Sequence, residues 1–349
     1  MYFAGLDAHL KYVTVAVLDS LGTIVLETTV STREPERLLA VLAPFRPLEV
    51  VETCPFWPWL YDLLVPAGIK FHLAHAKRLR AIATAPQKND RVDARLLARM
   101  LLSGLIPEAY PRPGDQRELL RLLRHRTTLV RFRTRLAGRI HSQLHQQRLL
   151  LPREQLLRQA TRTWLRETAW PRLTTEQQAI VTTHLELIDH LTPLIQVLER
   201  RIDTAAGANP TAALLATIPG IASYRSLLLA AELSPLSRFP RVEHLASYAG
   251  LAPVTRSSGG HTRHGSIPQG ANRWVRGALV SAIPSHVRSA PHSPVSRAYA
   301  QLTARLGWRV ARVAAARKLL HIVYIMLRRR EPWRGAGRVE ADVRDEVHA

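Results

Sequence analysis

The hydrophobic pattern of this chain changes its period once, at a proline-bearing segment between Pro107 and Gly114. Before that segment, short apolar runs with strand character alternate with short amphipathic stretches. After it, only helical spacing recurs. Such a change predicts a mixed α/β domain followed by a mainly α part. Residues 2–6, 12–18 and 23–27 read as strands, with Ser20-Leu21-Gly22 as a turn between the second and third. Residues 35–42 read as helix, 49–53 as strand, 57–65 as helix, 70–73 as strand and 92–103 as helix. Residues 115–150 place Leu119, Leu122, Leu123, Leu129, Leu136, Ile140 and Leu144 at helical spacing. Residues 176–205 do the same with Ile180, Leu187, Leu191, Leu194 and Leu198. Two such helices predict a helical hairpin or a coiled-coil spacer. Gly207 and Pro210 open a third region, with helices near 272–283 and 295–327 and a Gly-, Ser- and His-rich loop over 256–270. The expected domains are 1–106, 107–206, 207–334 and a polar tail, 335–349.

Charge follows the same division. The 349 residues carry 49 Lys plus Arg against 27 Asp plus Glu, a formal net charge of +22. Residues 1–111 are nearly neutral, whereas 112–172 carry 15 basic and 4 acidic residues and 207–349 carry 20 and 7. Clustering of this kind favours a polyanionic partner, nucleic acid before a membrane surface. No apolar run approaches the length of a membrane span, and with Asp7 and Lys11 inside its first apolar stretch the N-terminus does not read as a signal peptide. The single cysteine, Cys54, excludes a disulfide framework and a Cys-rich zinc site and fits a reducing cytoplasm.

The strongest chemical signal lies in the neutral block. Asp7 sits in Gly5-Leu6-Asp7-Ala8-His9, and Glu52 in the apolar run Val50-Val51-Glu52-Thr53. Asp90 and Asp93, three apart, share one face at the start of a helix. An acid in an apolar strand is costly unless it is paired or bound to a metal. Four carboxylates gathered together call for a cation, and hard Mg²⁺ or Mn²⁺ is the natural one. Singly, each acid has a structural reading: Asp90 as a helix N-cap, Asp93 in a capping box, Glu52 paired with a buried base, Asp7 opening a turn. Taken in order, strand, central strand, then helix, the set resembles ribonuclease-H-like nucleases and resolvases of the RuvC type.

A second signal is Arg256-Ser257-Ser258-Gly259-Gly260-His261-Thr262-Arg263-His264-Gly265, followed by Gly270, Asn272, Arg273 and Arg276. Glycines admit a phosphate backbone closely and arginines neutralise its oxygens. From chemistry alone the stretch reads as an ordinary loop, a phosphate-binding loop, or a loop presenting a nucleophilic serine. Ile218-Pro219-Gly220-Ile221 reads either as a helix-hairpin-helix turn, holding a phosphate near Gly220, or as a plain turn between packed helices.

Both clusters, in this order, resemble the transposases of the insertion-sequence family numbered one-hundred-ten, over about residues 2–330. Lys88-Asn89-Asp90-Arg91-Val92-Asp93-Ala94 is similar to the family's Lys-x-Asp-x-x-Asp-Ala segment, and the Ile-Pro-Gly-Ile and Ser-Gly-Gly stretches follow. The resemblance implies Asp7, Glu52, Asp90 and Asp93 as a metal-binding acidic set. It implies Ser258 as the nucleophile, with Ser257 adjacent, and a structured noncoding guide RNA and homo-oligomers as partners. The expectation is therefore a DNA recombinase using a serine and Mg²⁺, with Arg256, Arg263, Arg273 and Arg276 gripping the DNA backbone. The alternatives are a resolvase-type nuclease using water and a non-catalytic nucleic-acid-binding regulator.

Overall fold

The computed structural model describes residues 1–53, 55–82, 89–151, 156–252, 255–258, 261–264 and 270–334, with residues 80–82, 255–258 and 261–264 described by backbone alone. Lys88, Cys54, the Gly259-Gly260 pair and the tail 335–349 lie outside the described residues. The chain divides into two compact units, Met1–Arg117 and Glu118–Ala349.

The first unit contains β1 (Tyr2–Ala8), β2 (Tyr12–Leu18), β3 (Ile24–Ser31), α1 (Pro35–Leu42), β4 (Leu48–Glu52), α2 (Trp57–Leu64), β5 (Lys70–Ala74), α3 (Ala76–Ile82), α4 (Asp90–Leu102) and β6 (Glu108–Ala109). The six strands form one mixed sheet in the order β3-β2-β1-β4-β5-β6. β1, β4 and β5 run parallel, and β2, β3 and β6 are antiparallel to their neighbours. Alternation divides β1 between two cores. Ala4, Leu6 and Ala8 join Leu38, Leu42, Leu60 and Leu64 from α1 and α2. On the other face Phe3 packs with Val51, Leu97 and Leu101 from β4 and α4. The proline-bearing segment is more than a connection, because it supplies β6. His75 N–H donates to Pro107 O (2.8 Å), and the His72 ring bridges Glu49 and Glu108, so two residues suffice to extend the sheet.

The second unit is mainly helical. It contains most of α5 (Gly114–Gln146), then α6 (Gln159–Trp164), α7 (Thr175–Gly207), α8 (Pro210–Ala216), α9 (Ser223–Leu233), α10 (Val242–Ala249), the hairpin β7 (Thr255–Ser258) and β8 (His261–His264), α11 (Arg273–Ser289) and α12 (Pro294–Arg329). α5 and α7 lie antiparallel. Ile140 and Leu144 pack with Val181 and Ile188, while Leu120 and Leu123 join Ile202 and Ala206 in the core built by α8–α12. The stripe that α7 buries is Val181, Ile188, Ile195 and Ile202. The expected stripe is offset by one residue, about 100° round the helix, and its Ile180, Leu187 and Leu194 remain 38–46% exposed. Both stripes have heptad spacing, so spacing alone did not choose between them. The Gly-, Ser- and His-rich stretch, expected as a loop, carries a short antiparallel ladder with Ser258 opposite His261 and Arg256 opposite Arg263. α12 is broken at Gly307 (φ 77°).

Candidate active site

The acidic residues meet because α4 lies directly on β1. Gly5 faces α4, and a Cβ there would stand 1.9 Å from the carbonyl oxygen of Ala94. No other residue permits that approach. From Gly5, two residues along β1 lead to Asp7, and one helical turn back from Ala94 leads to Asp90. The two steps are each about 6–7 Å, so the backbone contact brings the carboxylates into register. A second tie is the Arg95 guanidinium on Glu27 of β3 (Nε–O 2.9 Å). The start of α4 is set by Asn89, whose side chain accepts from Arg91 N–H. Asn89 is thus the N-cap, and Asp90, one residue on, is left for other work.

Asp7, His9 and Asp90 place one ligand atom each within 4.8 Å of one another. His9 Nε2 lies 3.2 Å from Asp7 Oδ2 and 3.5 Å from Asp90 Oδ2. Tyr12 Oη donates to Asp90 Oδ2 (3.0 Å). Burial pushes the Asp7 carboxyl above its ordinary range; His9 pulls it back, and the negative charges of Asp90 and Asp93 push it further up. Tyr12 is pushed up because its proton is shared with Asp90. Two carboxylates, one of them crowded by like charge, and an imidazole fit a divalent cation.

The other two expected acids stand differently. Asp93 acts on Asp7 through its charge but is not in the three-residue set. Glu52 is fully buried at the end of β4. Its carboxylate accepts from Ala8 N–H (3.1 Å) and from Thr53 N–H (2.7 Å). Two backbone donors satisfy a charge that would otherwise be costly in the core, and they fasten Glu52 one residue from Asp7. His9 and Tyr12 were not singled out from sequence. The signal was present in Asp7-Ala8-His9: two residues apart at a strand end, they emerge on one side.

In the second unit, the hairpin bearing Ser257 and Ser258 leads through Gly270 into α11. Asn272 caps that helix, accepting from Trp274 N–H and Val275 N–H, and donates to Glu232 (2.8 Å) and Tyr248 (2.7 Å). Glu232 is fully buried and also takes Arg124 Nη2 at 2.6 Å. These bonds anchor the point where the serine-bearing stretch rejoins the helices. Gly220 adopts φ +86°, and a Cβ there would stand 2.5 Å from His286 N, so the turn is pressed against α11. Packing thus requires glycine at this position whatever else the turn holds. His286, on the same contact, reaches Pro219 O through Nδ1 and Ser293 Oγ through Nε2.

Residues 4–148 match the family model described as Transposase, of the DEDD IS110 type, and residues 212–301 match the model for the Transposase IS116/IS110/IS902 family. The chain belongs to the IS110 family of transposases. A relative described as the transposase for insertion sequence element IS1111A, from Coxiella burnetii, is 24% identical over 288 residues, covering 82% of this chain and 79% of its own. The 43.6 kDa protein of insertion element IS110 from Streptomyces coelicolor is 30% identical over 135 residues, and the match spans a third of that protein's length. A pilin gene-inverting protein from Moraxella bovis is 32% identical over 148 residues, 42% of this chain and 45% of its own. No described helix of this IS110-family chain is long and apolar enough to cross a membrane.

Proposed function

We propose that the chain cleaves and rejoins the DNA strands of an insertion sequence, with Ser258 as nucleophile and Mg²⁺ or Mn²⁺ held by Asp7, Glu52, Asp90 and Asp93. The observation that carries this reading is the meeting of Asp7 and Asp90 beside His9, in a stretch that matches the family's acidic domain. Bound there, the cation would neutralise phosphate oxygens and ease departure of the leaving oxygen. The chain's own residues do the rest. Glu52, held by two backbone N–H groups, keeps its carboxylate oriented beside Asp7. Asn89 fixes the first turn of α4, and Gly5 fixes the distance from that turn to β1. Ser258 Oγ bonds to phosphorus while the bond to the leaving deoxyribose oxygen breaks, and that oxygen takes up a proton. Rejoining reverses the exchange with a second strand's hydroxyl, so the phosphodiester count is conserved. Arg256, Arg263, Arg273 and Arg276 hold the backbone on either side, with Gly220 at a further phosphate contact. A structured noncoding RNA selects the DNA, and copies of the chain assemble on it in the cytoplasm.

A covalent-trapping assay tests this. The full chain, with RNA from its own element, labelled element ends, target DNA and Mg²⁺, is run on a denaturing gel. A labelled protein–DNA band lost in both Ser258→Ala and Asp7→Asn is the expected result. Metal-dependent cutting with no such band would make water the nucleophile, and unchanged cutting by Ser258→Ala would remove the serine from the chemistry.

A further inference from the structure

The second unit contains a cavity of about 420 Å³ where α5, α9 and α11 meet, and four arginines line it: Arg126, Arg131, Arg225 and Arg273. Like charges do not gather in a concave site without something to hold them. Part of the holding is internal. Arg126 is paired with Glu199 and lies over the Tyr224 ring, 4.7 Å from its centroid. Arg131 lies over Trp274 at 5.4 Å, sharing that ring with Arg124, whose charge Glu232 answers. The remainder is uncompensated. Among the described residues, no carboxylate pairs with Arg131, Arg225 or Arg273. Among the described residues Arg225 is held by neutral oxygens: Gly220 O (3.1 Å), Ser281 Oγ (3.3 Å) and Ser281 O (3.2 Å). Burial and the neighbouring Arg126 both press its charge downward.

Two further features shape the cavity. Ala222, on its wall, is the N-cap of α9 and offers no side-chain cap, so the positive end of an eleven-residue helix adds to the field. Gly277 lies one turn after Arg273 on α11, and a Cβ built there meets nothing within 4 Å. The wall is open because a side chain is missing, not because packing required glycine.

We propose that this cavity is a phosphate-binding site for a nucleic-acid strand, with Arg131, Arg225 and Arg273 neutralising its phosphodiester oxygens. Rigid guanidiniums suit this task because each presents paired N–H donors to phosphate oxygens, and stacking on Trp274 holds Arg131 ready. The proposal deepens the reading of the chain as a transposase: it adds Arg131 and Arg225, outside the serine-bearing stretch, to the arginines that face the strand.

The test is the salt dependence of binding by the full chain to a DNA duplex and, separately, to an RNA hairpin of similar length. Affinity is measured across a KCl series. Gly277→Glu adds a carboxylate to the open wall without a clash and is expected to leave the unfolding temperature unchanged or higher. It is expected to weaken binding at least tenfold on the nucleic acid that fills the site. Arg131→Gln and Arg273→Gln should each reduce the slope of log K against log[KCl] by about one, whereas Arg201→Gln, on the exposed face of α7, should not. The arm that loses affinity, DNA or RNA, identifies the strand. Affinity unchanged in Gly277→Glu with slopes unchanged in Arg131→Gln and Arg273→Gln, or slopes reduced equally by Arg201→Gln, would overturn the site while leaving nucleic-acid binding intact. If the unsubstituted chain bound neither probe, the phosphate site would be overturned, while the covalent-trapping assay with the element's own RNA and ends would still decide the strand-cleaving reading.

Discussion

In the first unit, Asp7, Asp90 and Asp93 crowd negative charge around the end of β1. In the second, Arg126, Arg131, Arg225 and Arg273 crowd positive charge around one cavity. The two clusters are assembled by similar means. Each rests on a glycine that lets a backbone approach too closely for any other residue: Gly5 against Ala94, and Gly220, whose carbonyl holds Arg225, against His286. Each also carries partial internal relief, from His9 in the first and from Glu199, Tyr224 and Trp274 in the second. Among the described residues neither cluster is neutralised from within, and the surpluses have opposite sign. Packing energy elsewhere in each unit offsets the repulsion, and a bound counter-charge would relieve it. A cation suits one cluster and a phosphate the other.

If the glycine contacts build both clusters, breaking them should have the largest effect. Gly5→Ala forces a Cβ into the Ala94 carbonyl and should destabilise the first unit by about 3 kcal/mol or more. Gly220→Ala meets a slightly longer contact but adds left-handed strain, and should cost the second unit about 2–3 kcal/mol. Urea unfolding with hydrogen exchange would assign each loss to its unit. A loss spread evenly over both units would break the comparison.

The next effect concerns the counter-charge itself. Saturating Mn²⁺ should raise the unfolding free energy of the unsubstituted chain by about 3 kcal/mol at a hundredfold excess over its dissociation constant. The gain should disappear in Asp7→Asn and Asp90→Asn. Calorimetric titration with Mn²⁺ checks the same point without reference to activity.

A smaller effect should follow pH. Burial lowers the protonation of His286 and His321 below the ordinary histidine range. The unfolded chain therefore binds these protons more readily, and stability rises with pH where it does so. The second unit should hold full stability above about pH 6.5 and lose it progressively as pH falls below that value. His286→Gln should flatten the slope of unfolding free energy against pH.

The smallest effect is a control in the opposite direction. Gly138 sits in the exposed interior of α5 with nothing within 4 Å of a built Cβ. Gly138→Ala should stabilise the second unit by about 1 kcal/mol, through helix propensity alone. A loss there would mean that α5 meets a partner at that face.

Much of the first unit is legible in the sequence. Strand and helix periods differ, turn residues mark the ends, and an acid inside an apolar run stands out because it needs an explanation. Residues 12–18 and 35–42 match β2 and α1 to the residue. What was not legible follows from the same physics. β6 is too short to show a period and exists only because β5 offers an unpaired edge. The buried stripe of α7 could not be told from its neighbour, since both repeat every seven residues and only the position of α5 separates them.

The chain by itself determined which residue types were available and where the local pattern had to change: carboxylates in apolar strands, a serine among glycines and arginines, and basic helices after a neutral block. Those follow from spacing and from the cost of burying charge, which act within a few residues. Only the tertiary structure decided which groups meet. His9 enters the acidic site because α4 descends onto Gly5. Arg131, Arg225 and Arg273 share one cavity because three helices from distant stretches cross there. Contacts of that kind depend on backbone approach over long sequence separation, and no local pattern records it.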